Sequence, residues 1–443
     1  MSDYNTEPTV FDKISEPAVK LIEEEADKIE GDAGTYTLSF RPFTVNILYG
    51  IIMGIESASL LITHIKTSGD AKDAGLTEAS KSMYSEAFGR YDVSVYRRIF
   101  YALLNKLNFL EIPEIRALGA IYLLDGSVFP AVISMVWASY KKKSNAVKLH
   151  LLFELNRMIP VQFVSAPANT SEKGILRQTA ETGIAYICDR GYVCFGLFHD
   201  ICDRGADFII RGKSNHVYSV IACFVTVIPE SWKTCLLYVT DYMVIFENDR
   251  HQGKYRTVSF TVSGEESVLI TGRFDLTTYQ IIMLYAYRWQ VELMFRFLKR
   301  TLNGIHLMCH SPNGVEIQFA LYMIAYLLLL SFKQESIKSE ENRDGDIIIS
   351  DDGYDSNMSE DNSASALFRE SEENKVVSCG LSEDNSSVTP PDTPDYYSCG
   401  LVTLLGKRLK KYWKIGIHWL TTVRNLISEP FTPEILKIIN GMQ

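Results

Sequence analysis

The sequence predicts an α/β fold, and three observations carry that prediction. Up to about residue 112 the apolar residues recur at helical spacing, and after Pro113 short β-rich runs replace them. From Ala120 to Arg211 the order reads as three strands, a helix, a strand, a helix and a strand. The stretch 215–273 is dense in Val, Ile, Tyr, Phe and Thr and reads as antiparallel strands. An RNase H-like core interrupted by an antiparallel β insertion satisfies all three, with a helical N-terminal domain before it and a C-terminal helical segment after it.

In chain order, residues 1–112 form the helical domain, expected to bind DNA. Pro17 to Glu30 predicts an acidic amphipathic helix with the proline in its first turn. Thr44 to Lys66 predicts one longer apolar helix. Thr77 or Ser80 is placed to cap a helix running to Arg90, and Ser94 another running to Asn105. The segment Ser80–Arg90 has the make-up of a recognition helix, with Arg97, Arg98 and Lys106 near phosphates, or of an ordinary bundle helix.

Residues 113–333 form the core, with 215–273 as the insertion. Ala120 to Leu124 is a strand ending at Asp125. Val147 to Leu155 and Val161 to Ala166 are two more. Gly174 to Thr182 is helical, Gly183 to Cys188 is a buried strand ending at Asp189, and a helix to about Arg204 precedes the strand Asp207–Arg211. A second apolar helix, Val315 to Phe332, closes the core. Its most apolar run, Phe319 to Phe332, is short for a membrane span and suits a buried helix, so no membrane is expected.

Residues 334–400 are a different material. Gln334 to Gly400 holds 17 acidic and 4 basic residues, a net of −13 against −10 for the whole chain, which leaves +3 elsewhere. Such a segment is expected to be disordered. The global charge therefore does not exclude a nucleic-acid partner. Residues 401–443 regain a helical, initially basic pattern. The eight cysteines include no Cys-x2-Cys pair and no zinc spacing, which points to reduced thiols in the cytoplasm.

The chemistry-bearing pattern is Tyr285, Arg288, Glu292 and Lys299. On one helix, at about 100° per residue, all four project within roughly 60° of one another. A carboxylate there binds a hard divalent cation, and the cations beside it hold phosphate oxygens. Asp125 and Asp189, each at the end of a strand, stand where loops gather functional groups. Three converging carboxylates repel unless a cation neutralises them.

Tyr-x2-Arg-x3-Glu-x6-Lys resembles the signature of the insertion-sequence-four family of bacterial transposases, which belong to the Asp-Asp-Glu class. Leu124-Asp125-Gly126-Ser127 and Cys188-Asp189-Arg190-Gly191-Tyr192 resemble its two Asp motifs. Lys148-Leu149-His150 and Phe208-Ile209-Ile210-Arg211 resemble its intervening strands. The resemblance implies catalytic and metal-binding roles for Asp125, Asp189 and Glu292, with two Mg²⁺ or Mn²⁺ ions. It implies DNA contacts by Arg190, Arg211, Tyr285, Arg288 and Lys299. The implied activity is cleavage of double-stranded DNA at element ends and transfer of the 3′-hydroxyl to target DNA, by a homodimer in a synaptic complex at the bacterial nucleoid. A nuclease of the same fold without strand transfer, or an inactive DNA-binding remnant, are the rivals. In one relative a Trp in the β insertion stabilises a flipped base. Here Trp232 lies early in it, and Tyr255 and Phe260 stand nearer the expected place.

Overall fold

The computed structural model describes residues 8–346, apart from 31–37, 142–143, 214, 227, 231–232, 234–235 and 263. The predictions for Trp232, for most of 334–400 and for 401–443 lie outside the described residues.

Seven helices come first: α1 (Val10–Glu30), α2 (Phe40–Met53), α3 (Ala58–Thr67), α4 (Gly69–Asp73), α5 (Lys81–Arg90), α6 (Val93–Lys106) and α7 (Pro113–Arg116). Two expectations change here. Pro17 is interior to α1 rather than in its first turn, because the helix begins at Val10 with Thr9 and Asp12 bonding across its start. The predicted helix 44–66 is two helices. Gly54, at φ 64°, closes α2 in the left-handed conformation, and the Ser57 side chain caps α3. Ser80 caps α5 as expected, whereas Asp92 rather than Ser94 caps α6.

Ten strands follow: β1 (Ala120–Ala131), β2 (Ser139–Lys141), β3 (Ser144–Glu154), β4 (Ile159–Pro167), β5 (Ile184–Cys188), β6 (Asp207–Arg211), β7 (Tyr218–Cys223), β8 (Leu237–Phe246), β9 (Lys254–Val262) and β10 (Glu265–Thr271). Helix α8 (Glu172–Thr179) leads into β5, and α9 (Phe195–Asp203) joins β5 to β6. All ten strands belong to one sheet, ordered β2-β3-β1-β5-β6-β10-β9-β8-β7, with β4 also on β3. β1 pairs antiparallel with β3 and parallel with β5, and β5 pairs parallel with β6. The strands of 215–273 do not form a sheet of their own. β10 pairs antiparallel with β6, so they extend the core sheet.

The last helices among the described residues are α10 (Thr278–Ala286), α11 (Trp289–Arg296) and α12 (Pro312–Asp346). α12 runs well past Phe332 and into the acidic sequence. Its stretch Pro312–Ser336 is long and apolar enough to cross a membrane, yet 89% of its most apolar window is buried inside the protein. A core helix accounts for that composition.

Strand alternation divides the interior in two. Ile121, Leu123, Ala185, Ile187 and Ile209 point into a large core shared with α1, α2, α5, α6 and α10–α12. Leu124, Ile184, Tyr186, Cys188, Phe208 and Ile210 point the other way, under α8 and α9. The N-terminal helices are fastened to the rest. Asn313 donates to the Phe88 and Tyr91 carbonyls, and Arg97 pairs with Glu316 and bonds the Phe163 carbonyl. Arg98 is held by Glu25. Arg97 and Arg98 therefore brace helices, which corrects their expected place near phosphates.

Candidate active site

Register brings the site together. Leu123 lies opposite Ile187, and Ile187 opposite Ile209, across the parallel strands. Two residues further along, the same row reads Asp125, Asp189 and Arg211. All three have the parity of Leu123, Ile187 and Ile209, so they share the face on which α10–α12 pack. β1 does not end at Asp125, as the sequence suggested, but continues to Ala131 against β3. Its parallel pairing with β5 does end at Leu123, so Asp125 stands just beyond that ladder. Asp189 follows β5 directly, and its Oδ1 accepts from the Gly191 amide at 2.8 Å.

The four-residue signature is not on one straight helix. The chain turns tightly at Tyr287–Arg288, where the Arg288 amide bonds the Tyr285 carbonyl and the Val291 amide bonds the Arg288 carbonyl. It then widens into a π turn at Phe297–Thr301, with the Leu302 amide reaching the Phe297 carbonyl. One tightening and one widening partly offset each other in phase. Arg288 donates through Nη2 to Glu292 Oε1 at 2.6 Å and lies 3.9 Å from Asp125 Oδ2. Its guanidinium sits 5.9 Å from the Tyr285 ring centre. Lys299 Nζ donates to the Val128 carbonyl at 2.7 Å, 4.9 Å from the Phe129 ring centre.

The electrostatics of these groups are coupled. Burial pushes the Asp125 carboxyl up to about 6; Arg288 pulls it down, and Asp189 and Glu292 add to the rise. Burial works against the Arg288 cation, but Tyr285, Glu292 and Asp125 together hold its pKa above the ordinary value. Burial raises the Tyr285 phenol against the pull of Arg288 and Arg211. Burial lowers the Lys299 ammonium, and Asp125 opposes it. Arg190 is exposed directly after Asp189. Among the described residues no three His, Cys, Asp or Glu side chains stand close enough to form a ready-made metal site. The carboxylates share a face and a field, with Arg288 against two of them.

Six neighbours were not assigned to the site from sequence. Lys148 is ion-paired to Glu172, a fourth carboxylate beside Asp189. A Cβ on Gly191 would meet Asp189 Oδ1 at 3.0 Å and Glu172 Oε2 at 3.2 Å. His150 and Tyr192 are buried with both ring nitrogens and the hydroxyl unpaired. Gly126 is required next to Asp125, because a Cβ there would meet Lys148 Cε at 2.6 Å and His150 Nδ1 at 2.8 Å. No spacing rule links Lys148 with Glu172, although the Lys148–His150 strand was a signal. Tyr255 and Phe260 are buried, Tyr255 being bonded to Asp249 and His199, so neither is presented to a base.

Residues 117–328 match the family model of the transposase DDE domain. The chain is 27% identical over 248 residues to a putative transposase of Sinorhizobium fredii, covering 55% of this chain and 69% of that one. These two matches support a DDE-type insertion-sequence transposase. The chain is also 25% identical over 301 residues to a putative transposase for insertion sequence element IS4SA of Synechocystis, covering 64% of this chain and 80% of the relative. A probable transposase for insertion sequence element IS5377 of Geobacillus stearothermophilus is 22% identical over 323 residues, covering 70% and 82%. The insertion-sequence-four branch is consistent with these relatives. Among solved structures, a piggyBac transposase synaptic complex with hairpin DNA aligns with 74% of this chain and 75% of that one, at 12% identity and a TM-score of 0.37. A likeness at that score carries no weight for the fold.

Proposed function

We propose that the chain cuts DNA at the ends of its element and joins the freed 3′-hydroxyl to target DNA, in cut-and-paste transposition. Asp125, Asp189 and Glu292 are the catalytic carboxylates of an RNase H-like core. The observation that carries this reading is that Asp125, Asp189 and Arg211 each stand two residues beyond the aligned positions Leu123, Ile187 and Ile209, with Arg288 bonded to Glu292 and 3.9 Å from Asp125. Three antiparallel strands followed by two parallel ones, joined through helices, support the RNase H-like assignment.

The carboxylate donor type suits a hard divalent cation, although no three of these groups stand close enough as placed to hold one. Three carboxylates share one face, and Asp125 is held up by burial and by the other two, a repulsion a cation would relieve. Two Mg²⁺ or Mn²⁺ ions held there would activate water or the 3′-hydroxyl and stabilise the leaving oxygen of an in-line displacement. Arg288 neutralises the carboxylates when no such ion is bound, and it releases Glu292 to turn towards a phosphate. Arg190, Arg211 and Lys299 hold the DNA backbone, and Tyr285 donates its hydroxyl to a phosphate oxygen. The enzyme works on double-stranded DNA as a homodimer in a synaptic complex, at the nucleoid.

Asp189→Ala tests this on a labelled element end with Mg²⁺. Cleavage should fall at least ~10⁴-fold, about 5 kcal/mol of barrier, while duplex binding stays within about threefold. Retained cleavage overturns the assignment. A wild-type chain that cuts but never joins the label to a target plasmid reduces it to a nuclease.

A further inference from the structure

Beyond Asp125, β1 runs on into a tip, residues 132–138, that the reaction above does not use. The tip is braced. Asn145 Nδ2 donates to the carbonyls of Val132 at 3.2 Å, Ile133 at 2.9 Å and Met135 at 3.0 Å. Met135 and Ala138 are buried, and Trp137 Nε1 donates to the His310 carbonyl at 2.9 Å. Yet Ile133 is 86% exposed and Val136 77%. A braced backbone that holds two aliphatic side chains in water forgoes their burial, which a slack loop would recover by folding them in.

The surroundings of this tip are cationic. Residues 126–153 contain no Asp or Glu; residues 293–315 contain Arg296, Lys299 and Arg300 and again no Asp or Glu. The two stretches are joined where Lys299 bonds the Val128 carbonyl and Trp137 bonds His310. In a chain of net charge −10 this is a local reversal of sign, complementary to a phosphate backbone. At about 3.3 Å per strand residue the tip begins ~20 Å from Asp125, about six base pairs along a duplex.

We propose that Ile133 and Val136 form a wedge that enters a base step of the duplex, bending it, while the surrounding Lys and Arg residues hold the phosphates. This rests on the DNA-processing reading above.

The test compares the full chain with its I133S/V136S variant on a duplex carrying a fluorophore at each end. The wild type should bend the DNA. The variant should bend it less and bind about tenfold more weakly, with an unchanged salt slope, and a mismatch at the wedge step should restore affinity. Ile133→Met should behave as wild type. Equal bending and affinity in wild type and I133S/V136S overturns the wedge, as does a variant that only changes sedimentation, which would mark a protein contact. A wild type that bends DNA but cuts none supports the wedge and defeats the proposed function alone.

Discussion

Two arginine–carboxylate sites in this molecule have similar ingredients and opposite finish. Arg256 and Asp241 are almost wholly buried and meet in a two-point bond, Nε to Oδ1 at 2.8 Å and Nη2 to Oδ2 at 2.7 Å. The remaining donor, Nη1, reaches the Leu276 and Arg273 carbonyls, and Thr278 donates to Asp241. The Phe224 ring centre lies 4.3 Å from the guanidinium. Arg288, by contrast, has one short bond to Glu292 and a 3.9 Å approach to Asp125, and Asp189 adds further negative charge. A closed pair of this kind fastens β8 and β9 to the start of α10. An open one keeps surplus negative charge at the surface for something else to bind.

Ways to break this contrast run from large effects to small. Arg288→Ala should lower cleavage by at least about a hundredfold while the protein stays folded, read from single-turnover kinetics and a circular-dichroism melt. Arg256→Ala should do the reverse in kind, costing about 3–5 kcal/mol of stability in urea titration, because Asp241 is left buried and charged. A fully stable Arg256→Ala protein would mean that the closed pair does not hold the strands.

The next test uses pH. Asp125 titrates near 6 when folded and near the ordinary 3.8 when unfolded, so the folded state binds the proton more tightly. Stability therefore falls as pH rises from about 4 to about 6 and stays lower above that, by on the order of 2–3 kcal/mol. Asp125→Asn removes this loss. Its advantage in unfolding free energy should be near zero at pH 4, grow through pH 6 and shrink when Mg²⁺ is added. A constant difference across that range would refute the field around Asp125. The smallest effect is at the exposed pair Arg177–Asp200, where Arg177→Ala should change stability by less than about 0.5 kcal/mol.

How much was legible in the sequence follows from what is local. β5 and β6 were read nearly to the residue, because continuous apolar runs between turn residues have few other readings. Asp125 and Asp189 stood out because each closes an apolar strand run, whereas Arg211 drew notice only through the family resemblance. The pairing of β10 with β6 was not, since it joins residues about 60 apart and leaves no mark in either strand. Arg97 and Arg98 misled for the same reason, because their partners Glu316, Phe163 and Glu25 lie far off in sequence. The break at Gly54 was missed inside an apolar run, where one glycine is a weak signal.

The π turn at Phe297–Thr301 makes the count of residues between Glu292 and Lys299 an inflexible quantity. A wide turn is, in effect, an α-helix with one residue too many, and the surplus is easily surrendered. Deleting a single position there would relax the coil to ordinary pitch and swing the lysine about a quarter-turn off its perch over Phe129. Side-chain swaps at this point would be tolerated far better than any change in chain length.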